Sequence, residues 1–430
     1  MILRVSPSEL AGTVLAPPSK SVTQRLLAAS LLAAGTSRIE GLSESDDCTA
    51  ALGAVAALGG EIELGEDAVE ITGCAGRPRP RSGSVACGES GLGFRLFAPI
   101  AALADTPVEL TAEGTLTQRP MSTYLESLPG LGVHITAQGG RPPVHVHGPL
   151  RGGRLRLDGS VSSQFLTGLL TALPCAEGDS EVEVVGLVSR PYVEMTLHIL
   201  RDFGLTIEAD ADLSYFRIPG GQIPHPITTA VDGDWSGAAF LLVAGMLTGA
   251  PHLEVAGLDN RYVQADEAIR GALLFAGGRT SATDTGLRVD RRPVRPFTVD
   301  LTDAPDLFPP LVALAAFADG PSTLHGAGRL LHKETDRAAV LTREFARAGI
   351  AIDHAGDALV VTPRTGPDRV LPARLHSHGD HRIAMAAALL GLAGAPIEIE
   401  GAEAVAKSYP AFYDDLESVG ARIAWVSKAR

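Results

Sequence analysis

Asp158-Gly159-Ser160-Val161-Ser162-Ser163 runs straight into Gln164-Phe165-Leu166-Thr167-Gly168-Leu169-Leu170. Asp, Gly and Ser favour tight turns and helix caps, and the stretch behind them is too apolar for a solvated face, so the pair reads as a turn opening a buried helix. The same grammar recurs at Pro18-Ser19-Lys20-Ser21, Cys87-Gly88-Glu89-Ser90-Gly91, Asp232-Gly233-Asp234-Trp235-Ser236, Asp303-Ala304-Pro305-Asp306 and His378-Gly379-Asp380-His381. Anchored on Lys20, Ser90, Ser162, Trp235, Asp306 and Asp380, the copies are 70, 72, 73, 71 and 74 residues apart. A period that regular marks a repeated supersecondary unit.

A second signature falls within the period: a helix closes at Gly, where a left-handed cap is cheap, and an alternating strand follows. It occurs at Gly59-Gly60 before Glu61-Ile62-Glu63-Leu64, Gly204 before Leu205-Thr206-Ile207-Glu208, Gly349 before Ile350-Ala351-Ile352-Asp353, and Gly420 before Ala421-Arg422-Ile423-Ala424. Each unit therefore reads as strand, helix, strand, helix, strand, strand. Six units exceed one core, and three plus three is the natural division, with a boundary near Pro219 to Thr229, where Gly and Pro cluster without periodicity.

The 430 residues are 45% apolar and 20% charged, so the chain folds throughout. Lys plus Arg, 36, against Asp plus Glu, 50, gives −14, which leaves no electrostatic support for a nucleic-acid-coating role. Cys48, Cys74, Cys87 and Cys175 show neither a CxxC pair nor zinc spacing and read as buried small residues in a reducing compartment. Met1 to Leu10 lacks a signal core, so the cytoplasm is expected. Trp235 to Leu253, long and uncharged, matches the repeat and reads as a core helix, so no membrane partner is expected.

Helix starts ordinarily carry acids or hydroxyls, because their free N–H groups are partially positive. Here Lys20, Arg25, Arg95, Arg119, Lys333, Arg337, Arg382 and Lys407 stand at or near such starts. Cations there repel one another unless an anion lies between them, so a small polyanionic ligand is expected in a positive pocket on a negative body. His376, His378 and His381 lack an accompanying carboxylate or Cys shell, so no metal is expected. His145 and His147 alternate on a strand and read as surface.

Taken in order, Pro18-Ser19-Lys20-Ser21 with Arg25, Gln118-Arg119-Pro120-Met121, Ser160 to Leu166, Ser189-Arg190-Pro191-Tyr192, Lys333-Glu334-Thr335-Asp336-Arg337, Asp380 to Met385 and Lys407-Ser408-Tyr409-Pro410 resemble the 5-enolpyruvylshikimate-3-phosphate synthase family over nearly the whole chain. The resemblance implies an α/β, two-lobed enolpyruvyl transferase-like fold with three repeats per lobe. It also implies discontinuous lobes, 1–14 plus 228–430 and 15–227, that close on an active site in the cleft between them. The implied reaction moves the enolpyruvyl group of phosphoenolpyruvate to the 5-hydroxyl of 3-phosphoshikimate and releases phosphate, with no cofactor, in a cytoplasmic monomer.

By the same resemblance, Lys20, Ser21, Arg25, Ser162, Ser163, Gln164, Ser189, Tyr192, Asp306 and Lys333 meet phosphoshikimate. Lys20, Gly91, Arg119, Gln164, Arg337, Arg382 and Lys407 meet phosphoenolpyruvate. Asp306 takes the hydroxyl proton and Glu334 handles the proton at the methylene carbon, with Lys20 completing the catalytic set. Two departures stand out. Gly88-Glu89-Ser90-Gly91-Leu92 replaces the family's Gly-Asn-Ala-Gly-Thr, so Glu89 is expected to pair with Arg95 or Lys20 and to alter the binding of phosphoenolpyruvate mimics. Arg329 stands where the family has an Asn that touches phosphoshikimate. A UDP-N-acetylglucosamine enolpyruvyl transferase is the nearest rival, but Thr111 to Arg119 lacks its loop Cys. An RNA 3′-phosphate cyclase conflicts with the charge, and a non-catalytic repeat scaffold remains the third alternative.

Overall fold

Each repeat folds the same way because its first helix is apolar on every side and must be enclosed, while its strands have one face to bury. A computed structural model describes residues 1–258, 261–331 and 333–427. Among them are six four-stranded sheets. In one, Ser84–Ala86 runs parallel to Val108–Thr111, which pairs antiparallel with Arg141–His147, whose hairpin partner His134–Gln138 forms the edge. The other sheets share this order. His145 and His147 are exposed on that strand, as their alternation requires.

Six central helices follow the six turns: Lys20–Leu32, Gly91–Ala101, Gln164–Ala172, Trp235–Thr248, Phe308–Ala315 and His381–Ala393. Every residue of Gly91–Ala101 is buried. Glycine permits the tight approach of two of these helices: a Cβ on Gly168 would stand 2.2 Å from the Arg95 carbonyl oxygen and 2.3 Å from Tyr124 Oη. The closing glycines Gly59, Gly204, Gly349 and Gly420 all have positive φ, as the capping signature demands.

The chain forms two units: Met1–Pro17, Gly233–Asn260 and Ala265–Arg430 make one, Pro18–Asp232 and Arg261–Gln264 the other. These boundaries differ from the expected 14/15 and 227/228. Thr228–Ala230 pairs in parallel with Thr36–Glu40 and so belongs to the second unit. Leu10–Leu15 pairs in parallel with Gly249–Ala256 in the first. The strand ahead of the first central helix thus serves the fourth repeat, and the strand ahead of the fourth serves the first. Ile2–Ser6 completes the last sheet between Ile397–Glu400 and Arg422–Ser427.

Three further local expectations are corrected. Trp235 to Leu253 is a helix only to Thr248; Gly249–Ala256 is a strand. The strand at Leu205-Thr206-Ile207-Glu208 shrinks to Glu208–Ala209, because the Gln222 side chain takes both the N–H of Thr206 and its carbonyl in place of a ladder. Cys48 and Cys87 are buried, but Cys74 and Cys175 are half-buried, Cys74 in the loop after the strand Ala68–Thr72 and Cys175 at the end of the 3-10 helix Leu173–Cys175. No described helix is long and apolar enough to cross a membrane.

Candidate active site

In the first unit, the turns that open the fifth and sixth repeats and the start of Arg337–Arg347 deliver charged side chains to one point. Asp306 lies in the short 3-10 turn Pro305–Leu307, and Leu307 rather than Asp306 is the cap of Phe308–Ala315. Its carboxylate is therefore available to side chains. Oδ1 is 2.7 Å from Arg337 Nη1 and 3.2 Å from Lys333 Nζ, and Oδ2 is 3.3 Å from Arg382 Nη2. Burial by itself raises the Asp306 pKa, but Arg382, Lys333 and Arg337 outweigh it and hold the carboxyl well below the usual range.

Arg337, fully buried, also donates from Nε to Asp380 Oδ2 at 2.7 Å and pairs with Glu334. Three carboxylates around it overcome its desolvation and raise its pKa. Asp380 caps His381–Ala393 by accepting the Arg382 N–H at 3.0 Å, so one carboxylate fixes both arginines. Arg382 donates from Nη1 to Ser236 Oγ at 2.6 Å. Lys407 is buried at the end of the 3-10 helix Ala402–Lys407. Desolvation lowers the Lys333 pKa, opposed by Asp306.

The second unit gathers the remaining cations. Lys20 opens Lys20–Leu32, capped by Ser19, and its Nζ is 2.9 Å from Asp47 Oδ2. One turn on, Arg25 is 3% exposed and donates to Thr196 Oγ1 (2.8 Å), Thr167 Oγ1 (3.4 Å) and the carbonyls of Ser21 (2.8 Å) and Tyr192 (3.3 Å). All four partners are neutral, and burial lowers its pKa to about 10, so it remains charged at neutral pH. Arg95 donates to Gln164 Oε1 at 2.6 Å and lies over the Phe165 ring. Both Arg95 and Arg119 lie against the helix start at Gly91: a Cβ there would be 2.6 Å from Arg119 Nη1 and 3.3 Å from Arg95 Nη1. Two guanidinium groups beside a helix N-terminus suit an anion.

Ser162 Oγ accepts the Gln164 N–H at 3.3 Å, whereas Ser163, the cap residue, makes no side-chain cap bond. Ser189 is buried in the left-handed region (φ 54°, ψ 46°), a conformation rare for serine and held here at the start of Arg190–Asp202. Glu89 Oε2 accepts from Thr115 N (3.1 Å) and Oγ1 (3.3 Å).

Like-signed repulsion is not what the first unit displays. Its cations are interleaved with Asp306 and Glu334, to which the resemblance gave proton-transfer roles, and with Asp380, which the sequence marked only as a repeat turn. Asp47, Asp266 and Ser236 also escaped sequence reasoning; nothing local distinguishes them from ordinary helix-start residues. The rings of His376 and His378 lie tilted to each other with centroids 4.3 Å apart, and His378 Nε2 is 2.8 Å from the buried Glu344.

An α/β fold of six repeated units in two halves, with clusters of Lys and Arg at its helix starts, defines the enolpyruvyl transferase class. Residues 5–416 match the model of the family described as EPSP synthase (3-phosphoshikimate 1-carboxyvinyltransferase). The chain is 39% identical over 427 residues to the 3-phosphoshikimate 1-carboxyvinyltransferase of Aeropyrum pernix, covering 97% of this chain and 96% of that one. It is 35% identical over 424 residues to the protein of that name from Methanocorpusculum labreanum, covering 98% and 99%. The solved EPSP synthase of Acinetobacter baumannii matches with a TM-score of 0.83 at 26% identity, covering 99% of this chain and 100% of that one. The chain belongs to the EPSP synthase family.

Proposed function

We propose that the protein transfers the enolpyruvyl group of phosphoenolpyruvate to the 5-hydroxyl of 3-phosphoshikimate and releases inorganic phosphate. The observation that carries the reading is the meeting of Lys333, Arg337 and Arg382 with Asp306 and Glu334 in one cluster, within a chain of this family. The reaction needs what that cluster has: cations for a phosphate and a carboxylate, and two acids for proton traffic.

Asp306 is ionised at neutral pH and takes the proton of the 5-hydroxyl as its oxygen bonds to C2 of phosphoenolpyruvate. A carboxylate held by three cations is a weak base. An anionic substrate sharing Lys333, Arg337 and Arg382 draws them from Asp306 and makes it more basic as the complex forms. Glu334 handles the proton at the methylene carbon: one is added as the C–O bond forms and one is lost as phosphate leaves, restoring the double bond. In the second unit, Lys20, Ser21, Arg25, Ser162, Ser163, Gln164, Ser189 and Tyr192 bind phosphoshikimate, and Lys20, Gly91, Arg119 and Gln164 join Arg337, Arg382 and Lys407 on phosphoenolpyruvate. Arg25 is suited to an anion, being buried among neutral groups.

We read the protein as a cytoplasmic monomer, in keeping with four free cysteines. The test is phosphate release on mixing the purified protein with 3-phosphoshikimate and phosphoenolpyruvate. Release that requires both substrates is expected. Binding of either without release would return the reading to a scaffold.

A further inference from the structure

Asp380 holds the Arg337 side chain and the Arg382 N–H from a turn that is itself costly to hold. The two residues before it, His378 and Gly379, have φ of 54° and 72°, a region that glycine enters freely and histidine does not. Ser377 ties the turn to the sheet: its N–H donates to the Glu400 carbonyl at 2.9 Å and its Oγ to the Gly401 carbonyl at 2.8 Å. Glu344, fully buried, holds the turn from the other side. Its Oε2 accepts the His376 N–H at 3.0 Å, and its Oε1 lies 2.8 Å from His378 Nε2, which carries the proton that a carboxylate requires. His376 Nδ1 accepts the His378 N–H at 2.7 Å, so the residue in the unfavourable conformation is gripped at both backbone and ring. Arg343 and Arg347 flank the carboxylate, with Nε atoms 3.2 Å from Oε1 and 3.4 Å from Oε2, and Arg343 Nη2 is 2.9 Å from His378 Nε2.

Arg337 and Glu344 share the helix Arg337–Arg347 and stand two turns apart on one face of it. That face therefore meets the turn twice, at Asp380 through Arg337 and at His376 and His378 through Glu344. We infer that Glu344 is a positioning residue for this reaction: with His378 it clamps the turn that presents Asp380 to Arg337 and opens the helix carrying Arg382. The inference rests on the proposed transfer reaction, in which both arginines hold phosphoenolpyruvate. A carboxylate serving only to pin helix to sheet needs the His376 N–H alone. The second oxygen of Glu344 goes instead to the strained residue itself, two positions ahead of Asp380.

Three variants test the clamp. Glu344→Ala removes both of its anchors. His378→Ala removes the ring contact and keeps the unfavourable conformation, whereas His378→Gly removes the contact and the conformational cost together. In Glu344→Ala, KM for phosphoenolpyruvate is expected to rise about tenfold while KM for 3-phosphoshikimate, whose proposed contacts lie mainly in the second unit, stays within about twofold. His378→Ala should raise KM for phosphoenolpyruvate several-fold, and His378→Gly should return it most of the way to the wild-type value. A helix pin without a positioning role would lower the melting temperature and leave both KM values unmoved. An unchanged KM for phosphoenolpyruvate in Glu344→Ala therefore overturns the inference. Equal values in His378→Ala and His378→Gly overturn it as well, and that comparison decides the matter even if Glu344→Ala fails to fold. Absence of turnover in the wild type strikes the proposed reaction and takes the clamp's role with it; turnover with unmoved KM values strikes the clamp alone.

Discussion

Arg337 Nη1 lies 2.7 Å from Asp306 Oδ1, across 31 residues of chain, while the same guanidinium holds Asp380 from Nε and Glu334 from Nη2. One buried cation therefore keeps three carboxylates together. Removing it takes a partner from the fully buried Asp380 and from the half-buried Asp306 and Glu334, and loss of the buried Asp380 pair alone costs about 3–5 kcal/mol. Arg337→Met is expected to lower the denaturation midpoint and abolish turnover. Asp306→Asn leaves Arg337 held by the other two acids, so it should melt near the wild type while kcat falls by about 10²- to 10⁴-fold. Urea melts beside phosphate-release assays check both, and an Asp306→Asn protein with near-normal kcat would remove Asp306 from the chemistry.

Stability should carry the mark of Asp266. Its folded pKa, about 6, lies above the ordinary carboxyl value of 3.8, so the folded state binds the extra proton between those values. Stability from this group is present below pH ~4 and is lost as pH rises through about 6, with a total size of up to about 3 kcal/mol. Asp266→Asn removes the loss. Its melting temperature relative to wild type should rise between pH 4 and pH 7, and a difference that stays flat with pH contradicts the sign.

Gly91 touches two guanidinium groups through a gap that only glycine leaves. A methyl there would stand 2.6 Å from Arg119 Nη1, the far end of a flexible side chain, so the arginine moves and the helix need not. Gly91→Ala is expected to raise KM for phosphoenolpyruvate about tenfold or more, with melting little changed. Steady-state kinetics in each substrate will show whether KM for phosphoshikimate moves instead.

Glu89 anchors the turn at Gly114–Gln118 by accepting from both Thr115 donors, and that turn leads into Arg119. Glu89→Asn keeps one acceptor and removes a negative charge near the arginines. A phosphonate mimic of phosphoenolpyruvate should bind it several-fold more tightly than it binds the wild type. Equal affinity by titration calorimetry would show that the acid does not govern inhibitor binding.

The repeat was legible because its signals are local. Capping turns, apolar helices and glycine stops recur within a few residues of one another, and the fold places a central helix behind every one of the six turns. The cations of the candidate site were legible for the same reason, since a Lys or Arg at a helix start breaks an ordinary preference. Their partners were not. Asp47 and Asp380 are common acids at common positions, and only their distance from Lys20 and Arg337 distinguishes them. The Leu205 to Glu208 strand failed because a distant side chain, Gln222, took its hydrogen bonds.

From sequence alone came the period, the element types and the side chains able to hold an anion, all consequences of backbone preference and hydrophobic patterning over short range. The tertiary structure alone decided which strand serves which repeat: the segments before the first and fourth helices are interchangeable in pattern, and pairing chose between them. It also decided which carboxylate neutralises which arginine. Coulomb energy depends on separation in space and on burial, and neither is written in the spacing of charges along a chain.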